Sequence, residues 1–224
     1  SELTDITIPD SVTEIGAYAF KGCTELESVI IPNGVTEINP VTFEGCSGLT
    51  NVRIPDGVKT IGDREIEWGD VFKDCINLKE IIIPDSVTEI CDFSFSGCTK
   101  LKKVTISKNI TIIGCGAFRK CSELADVIIP HGVSSIEANT FFECGSLTNV
   151  IIPDNVTKIG NCAFYKCTGL TNITIPEGVT QIEYCAFEGC DALTKVIIPN
   201  SVTQIGAGAF GYESYSLYGD YGTK

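Results

Sequence analysis

One pattern of 23 residues recurs along almost the whole chain, and this periodicity restricts the fold more than any other feature. The copy from Leu147 to Gly169 reads LTNVIIPDNVTKIGNCAFYKCTG. Nine units keep the same register and span 3–25, 26–48, 49–77, 78–100, 101–123, 124–146, 147–169, 170–192 and, incomplete, 193–215. A unit of this size cannot bury its apolar side chains alone, whereas stacked copies bury a continuous core. The repetition therefore predicts a single solenoid domain over residues 1–210.

The apolar residues of each unit occupy fixed columns. A unit opens with Leu, and an invariant Ile follows five positions later, as in Leu147 and Ile152. Pro comes next in eight of the nine units. A Phe and, in every unit but the last, a Cys complete the pattern, as in Phe164 and Cys167. These columns predict continuous ladders of buried Leu, Ile, Val and Phe.

The local pattern predicts how one unit folds. In the first unit, residues 6–8 alternate between apolar and polar, which is typical of a half-buried strand, and Pro9 ends it because Pro cannot donate to a ladder. Residues 12–15 alternate in the same way after a polar turn. The segment 17–23 carries Phe and small residues at a spacing that favours one turn of α- or 3₁₀-helix.

The complete pattern resembles the BspA-like branch of the leucine-rich repeat superfamily, whose unit reads L-x-x-I-x-I-P-x-x-V-T-x-I-G-x-x-A-F-x-x-C. The resemblance extends from Leu3 to about Phe210. It implies an α/β solenoid: a right-handed superhelix with a concave parallel sheet, second short strands and short helical or 3₁₀ turns on the convex side. It also implies a secreted or cell-surface protein that adheres to host extracellular-matrix proteins or other cells, as related bacterial and protist proteins do.

The charge balance argues against two classes of partner. The net charge is -13 and the pI is about 4.4, so nucleic acid and anionic membranes are repelled. No apolar run reaches the roughly 18 residues of a membrane span, and we expect no direct membrane insertion. The chain carries no leader-like segment and no Met, so we expect it to be a segment of something longer.

The twelve cysteines fall into two groups. Eight form one column at the end of the unit (Cys23, Cys46, Cys75, Cys98, Cys121, Cys144, Cys167 and Cys190). Stacked Cβ atoms with parallel directions stay about 4.8 Å apart, too far for ordinary disulfides, so this column is predicted to consist of buried thiols that act as small apolar fillers. Cys91, Cys115, Cys162 and Cys185 lie outside the column. Cys162 and Cys185 share a register in adjacent units. The sequence leaves two alternatives for this pair, a disulfide or two free thiols.

Catalytic and metal-binding patterns are weak. Residues 206–211 spell G-x-G-x-x-G, but no helix of useful length follows, as a dinucleotide site requires. His131, the single histidine, replaces the polar turn residue of other units and is predicted to be exposed. We therefore predict that the chain is not an enzyme and that it holds no cofactor and no metal.

The predicted concave sheet presents outward positions that could bind a partner. The candidate binding residues on this face are Ile30, Arg53, Ile82, Thr105, Ile128, Ile151 and Ile197, with Glu80 and Lys103 in a polar row beside them. Exposed apolar patches often mark a partner site. The alternative is that these β-branched residues are present for their strand propensity.

The third unit contains six additional residues within the stretch 63–70, including the only Trp. Arg64 and Trp68 are the candidate contacts of this insert loop, because insertions in repeat proteins map to loops. The alternative is a tolerated change in loop length, since longer loops cost little.

The last residues depart from the repeat. Within 211–224, Tyr212, Tyr215, Tyr218 and Tyr221 recur every three residues. This tail is either a partial C-terminal cap over the core or a disordered linker.

Two functions compete at this point. The first is a non-catalytic recognition module that binds an extracellular-matrix or cell-surface protein through the concave sheet. The second is a structural spacer within a larger surface protein, with no ligand of its own.

Overall fold

The units form parallel strands two or three residues long, and each strand lies beside its counterpart in the next unit. The structure is a computed structural model that describes residues 2–63 and 69–211. The strands are β1 Ser28–Ile30, β2 Glu37–Ile38, β3 Asn51–Arg53, β4 Thr60–Ile61, β5 Glu80–Ile82, β6 Glu89–Ile90, β7 Lys103–Thr105, β8 Ile112–Ile113, β9 Asp126–Ile128, β10 Ser135–Ile136, β11 Asn149–Ile151, β12 Lys158–Ile159, β13 Ile173–Thr174, β14 Gln181–Ile182, β15 Val196–Ile197 and β16 Gln204–Ile205. Units two to nine therefore each contribute two strands, which confirms the solenoid of parallel strands within the predicted α/β solenoid.

The strands form two sides of the solenoid. We call the odd-numbered strands the front sheet and the even-numbered strands the rear sheet. All pairing is parallel and shifted by one unit, so that Val29 lies opposite Val52 and Ile159 opposite Ile182. The rear sheet consists of two four-stranded ladders, β2-β4-β6-β8 and β10-β12-β14-β16. The front sheet consists of four hydrogen-bonded pairs, β1-β3, β5-β7, β9-β11 and β13-β15, rather than the single sheet that the sequence predicts.

The third side of the solenoid is built of turns, and the predicted turn of helix is wrong. Residues 2–63 and 69–211 contain no helix. The residues two before and two after the Phe, such as Asn139 and Glu143, both have a φ of 58°. Left-handed residues at this spacing interrupt a helix. The freed N–H groups bond across units instead: Phe141 donates to the carbonyl of Ala163 at 2.8 Å.

The predicted Phe column forms the centre of the core. Phe20, Phe43, Phe72, Phe95, Phe118, Phe141, Phe164, Phe187 and Phe210 stack with ring centroids 5.1 to 5.8 Å apart and interplanar angles of 1° to 15°. Every ring from Phe43 to Phe187 is at least 98% buried. The Leu, Val and Ile columns pack around these rings. These centroid distances lie within the range of about 4.5–7 Å at which aromatic pairs attract each other.

The cysteine column is a row of free, buried thiols, as predicted. Each thiol from Cys46 to Cys190 also donates a hydrogen bond to the backbone carbonyl of the Phe in the preceding unit, at Sγ to oxygen distances of 3.0 to 3.2 Å. Burial raises the thiol pKa, in Cys144 to about 12, so these groups stay protonated and remain donors at neutral pH. The residue type and spacing predict apolar fillers only, and the role of the thiols as donors to the Phe carbonyls is visible only in the structure.

Candidate functional site

The front sheet exposes the predicted binding residues. The three-residue strands β1, β3, β5, β9 and β11 follow an exposed, buried, exposed pattern, because successive side chains of a strand point to opposite faces; in β7 the middle residue is half-buried. The five isoleucines in the outward row retain large exposed fractions: Ile30 64%, Ile82 66%, Ile128 67%, Ile151 51% and Ile197 70%. Arg53, Thr105, Glu80 and Lys103 are exposed on the same face. All nine candidate residues therefore face away from the core.

The apolar row is interrupted. Arg53 lies opposite Ile30, Thr105 opposite Ile82, and Thr174 opposite Ile197. Ile128 and Ile151 form a directly adjacent apolar pair. Apart from the Ile128 and Ile151 pair, the isoleucines of this face are thus separated by polar side chains.

A polar depression lies along one edge of the front sheet. Glu80 is paired with Lys103 in the register of β5 and β7. The depression has a volume of about 410 Å³ and is lined by Thr50, Asn51, Lys79, Glu80, Lys102 and Lys103. Lys79 and Lys102 were not among the predicted residues. The signal for them was their shared position, directly after the opening Leu of units four and five.

The insert in the third unit begins and ends at neighbouring points of the solenoid. Gly62 has a φ of 93°, and a Cβ built on it would lie 2.9 Å from the carbonyl oxygen of Gly69. The two ends of the insert are thus in contact. Arg64 and Trp68, the candidate contacts of this loop, lie outside the described residues.

Asp70 follows the insert and is a buried carboxylate that the sequence analysis missed. Only 4% of the residue is exposed, and its Oδ2 accepts a hydrogen bond from Lys73 Nζ at 3.0 Å. Its Oδ1 is buried without a hydrogen-bond partner in the described part of the chain. Burial raises the pKa of this carboxyl above its usual value. The position carried no recognisable signal because the insert disrupts the repeat there.

The remaining predicted groups lie outside the front sheet. His131 is exposed in the turn after Pro130, as expected. Cys162 and Cys185 are free thiols in adjacent units, and burial raises the pKa of both. Across 2–63 and 69–211, no group of three or more His, Cys, Asp or Glu side chains is arranged to hold a metal ion. In the same residues, no helix is long and apolar enough to cross a membrane.

The C-terminal end of the core is open in the described structure. Phe187, Leu193 and Phe210 help to line a depression of about 470 Å³ there. Ile205 and Phe210 remain 51% and 39% exposed. Residues 212–224, which contain most of the predicted Tyr-rich tail, lie outside the described part.

Comparison with known proteins supports the fold. The chain is similar to the crystal structure of a T. pallidum leucine-rich repeat protein, with 26% identity over 87% of this chain and 80% of that one, and a TM-score of 0.58. A leucine-rich repeat protein from Eubacterium ventriosum ATCC 27560 matches the whole chain over 74% of its own length, with 20% identity and a TM-score of 0.59. No curated protein matches the chain significantly.

The repeat units also match a family model. The model describes the BspA type leucine-rich repeat region and matches six copies, over residues 1–68, 66–167 and 134–217. These matches together span nearly the whole sequence and agree with the columns of Leu, Ile, Pro, Phe and Cys that build the core. The chain therefore belongs to the BspA-type leucine-rich repeat family.

Proposed function

We propose that this chain is a non-catalytic protein-interaction module that binds a partner protein through the front sheet. The observation that carries the proposal is the row of five isoleucines on that sheet, each with at least half of its surface exposed. Fully burying one such side chain contributes about 1.5–3 kcal/mol. A partner that covered several of them would therefore gain substantial binding free energy.

Strand propensity alone does not account for these isoleucines. Thr105 and Thr174 occupy the same outward row, and Thr is also β-branched and favours strands. A solvated face could thus use Thr at every position of this row. The presence of Ile at five positions favours a contact with apolar groups of a partner.

The expected partner is an extracellular-matrix or cell-surface protein, and the expected location is the cell surface or the extracellular space. Both follow from the resemblance to BspA-like proteins. The interrupted row suits a protein partner, because interfaces alternate apolar contacts with polar ones. A net charge of -13 disfavours nucleic acid as the partner.

The test is binding of the purified chain to immobilised fibronectin, fibrinogen and other matrix proteins. The front-sheet variant carries Ile82→Asp and Ile128→Asp. The matched control carries Tyr18→Asp and Ile76→Asp, two exposed apolar residues outside the front sheet. Circular dichroism and thermal unfolding of all three proteins verify that both variants remain folded.

Saturable binding that is lost in the front-sheet variant and retained in the control would support the proposal. Binding that both variants retain would place the site elsewhere, with the insert loop as the next candidate. The absence of binding to every matrix protein would favour the second function, a structural spacer.

A further inference from the structure

Basic residues are concentrated at one edge of the front sheet, although the protein as a whole is acidic. Lys79, Lys100, Lys102 and Lys103 all lie within units four and five, near the start of the front strands, and Arg53 lies on the neighbouring strand β3. We call these five residues the basic edge. They are five of only 16 Lys and Arg residues in a chain with 29 Asp and Glu.

The lysines of the basic edge lie side by side. The backbone N–H of Lys102 donates to the carbonyl oxygen of Lys79 at 2.8 Å, so these two residues occupy neighbouring positions in adjacent units. Together with Lys103 they line the depression of about 410 Å³ described above. Like charges at neighbouring positions repel each other, and an anion in the depression would relieve this repulsion.

The cations are only partly neutralised by the protein itself. Lys102 forms an ion pair with Glu123 at 3.4 Å, and both side chains are exposed. Within 2–63 and 69–211, Lys79 and Lys103 have no carboxylate within ion-pair distance. At physiological ionic strength charges farther away than about 8 Å are largely screened. A bound carboxylate therefore experiences the three lysines and the one carboxylate, Glu80, that line the depression more strongly than the distant negative surface.

We propose that the basic edge recognises the carboxylates of an acidic, extended segment of the partner protein. The inference rests on the proposed function of the front sheet and names the chemistry of its partner. Ile82 lies three residues after Lys79, about 10 Å away along an extended strand. A partner segment with acidic side chains near the lysines therefore places its apolar side chains beside Ile82 and along the Ile row.

A sulfated polysaccharide fits the same edge less well. The Glu80 carboxylate lines the depression together with the lysines and would repel a uniformly charged polymer. Such a polymer also lacks apolar side chains that could pack against the exposed side chain of Ile82. A polypeptide can place carboxylates and apolar groups separately, as this surface requires.

The test measures fluorescence anisotropy of labelled peptides with the complete chain. One peptide repeats the block Glu-Leu-Glu-Ser, and two others carry Gln or Lys in place of Glu. The basic-edge variant is Lys79→Gln with Lys102→Gln. The matched control is Lys120→Gln with Lys166→Gln, which changes the net charge equally on the third side of the solenoid. Heparin serves as a competing probe.

We expect the Glu peptide to bind more tightly than the Gln and Lys peptides. The basic-edge variant should bind it about five- to tenfold more weakly, and the control within about twofold. Affinity should also fall when NaCl is raised from about 50 to about 300 mM. Equal losses of affinity in both variants would overturn the inference, because they would show that only the net charge of the protein matters, and not the position of the lysines.

Other outcomes would also overturn the inference. Tighter binding of the Gln or Lys peptide, or no binding of any peptide, would exclude acidic recognition. Heparin binding that requires Lys79 and Lys102, without Glu-peptide binding, would assign the edge to polysaccharide. None of these results decides the proposed function. That function is tested separately, by the matrix-protein assay with the variant that carries Ile82→Asp and Ile128→Asp.

Discussion

The thiol of Cys98 donates a hydrogen bond to the backbone carbonyl oxygen of Phe72, at an Sγ to oxygen distance of 3.1 Å. Phe72 lies in the preceding unit, and the same carbonyl accepts the N–H of Cys75 at 3.2 Å. The side-chain column and the backbone turns of successive units are therefore joined at this atom.

Replacing Cys98 by Ala should destabilise the protein by about 1–2 kcal/mol, because it removes a buried thiol and its hydrogen bond. The Phe72 carbonyl keeps its second donor, which limits the loss. Urea unfolding measures the effect. Cys115→Ala, at a half-buried position outside the column, is the control and should lose less. Equal losses of unfolding free energy in the two variants would show that a thiol in the cysteine column contributes no more to stability than one outside it.

The Phe column predicts a gradient of stability along the solenoid. Phe118→Ala should destabilise by about 3–5 kcal/mol, since a large cavity opens between two stacked rings. Phe210→Ala at the open end should lose less than half as much, because that ring is already 39% exposed and is stacked on one described ring. Thermal unfolding of both variants tests this, and similar losses at both sites would contradict it.

The left-handed turn positions should tolerate side chains poorly where space is also lacking. Gly116 has a φ of 59°, and a Cβ there would clash with the Phe93 ring, so Gly116→Ala should destabilise by about 1–3 kcal/mol. At Gly145 the nearest contact of a Cβ would be Thr168 Oγ1 at 3.5 Å. Gly145→Ala should therefore change stability by less than about 0.5 kcal/mol. A Gly116→Ala protein as stable as this control would refute the assignment of strain.

Thiol reactivity should distinguish the two groups of cysteines. In the native protein, iodoacetamide should modify the half-buried Cys115 and Cys162 first, because only exposed thiolates react readily. Burial raises the pKa of both thiols above the ordinary value, so their modification should accelerate as the pH rises into the alkaline range. Peptide mass spectrometry follows each site. Fast native modification of Cys98, which is fully buried, would contradict the structure.

Asp70 should make stability depend on pH. Because burial raises its pKa in the folded state, the ionised form is penalised, and this penalty grows as the pH rises through the folded-state pKa. Below the ordinary pKa of 3.8 both states are protonated and the penalty is absent. Asp70→Asn should thus be more stable than the parent protein at pH 7, and the advantage should vanish near about pH 3.5. A constant difference in urea unfolding at both pH values would exclude this origin.

Much of the architecture could be predicted because the repeat places the same residue types in the same columns. Burial of Phe118, Leu147 and Ile159 follows from the period alone, and so does the exposure of Ile82 and Ile128. The family match and the similar solved structures agree with that expectation.

The turns of the third side could not be predicted from residue types. The left-handed positions hold Gly in some units, such as Gly22 and Gly97, but residues as different as Val41 and Lys120 in others, so glycine marked them only in part. The stacked units, which supply acceptors such as the Ala163 carbonyl, favour this backbone over a helix. Lys79 and Lys102 of the basic edge were missed for a related reason, because their proximity to each other and to Lys103 arises only when units four and five are stacked.

Gly62 and Gly69 meet at the base of the insert, and the ladder of phenylalanines continues past them from Phe43 to Phe72 with a spacing of 5.3 Å. The number of residues between the two glycines therefore does not affect how the units stack. Variation at this point is free to change the outline of the molecule without altering its interior. The same junction offers protein engineers a place to graft a foreign peptide onto a rigid support.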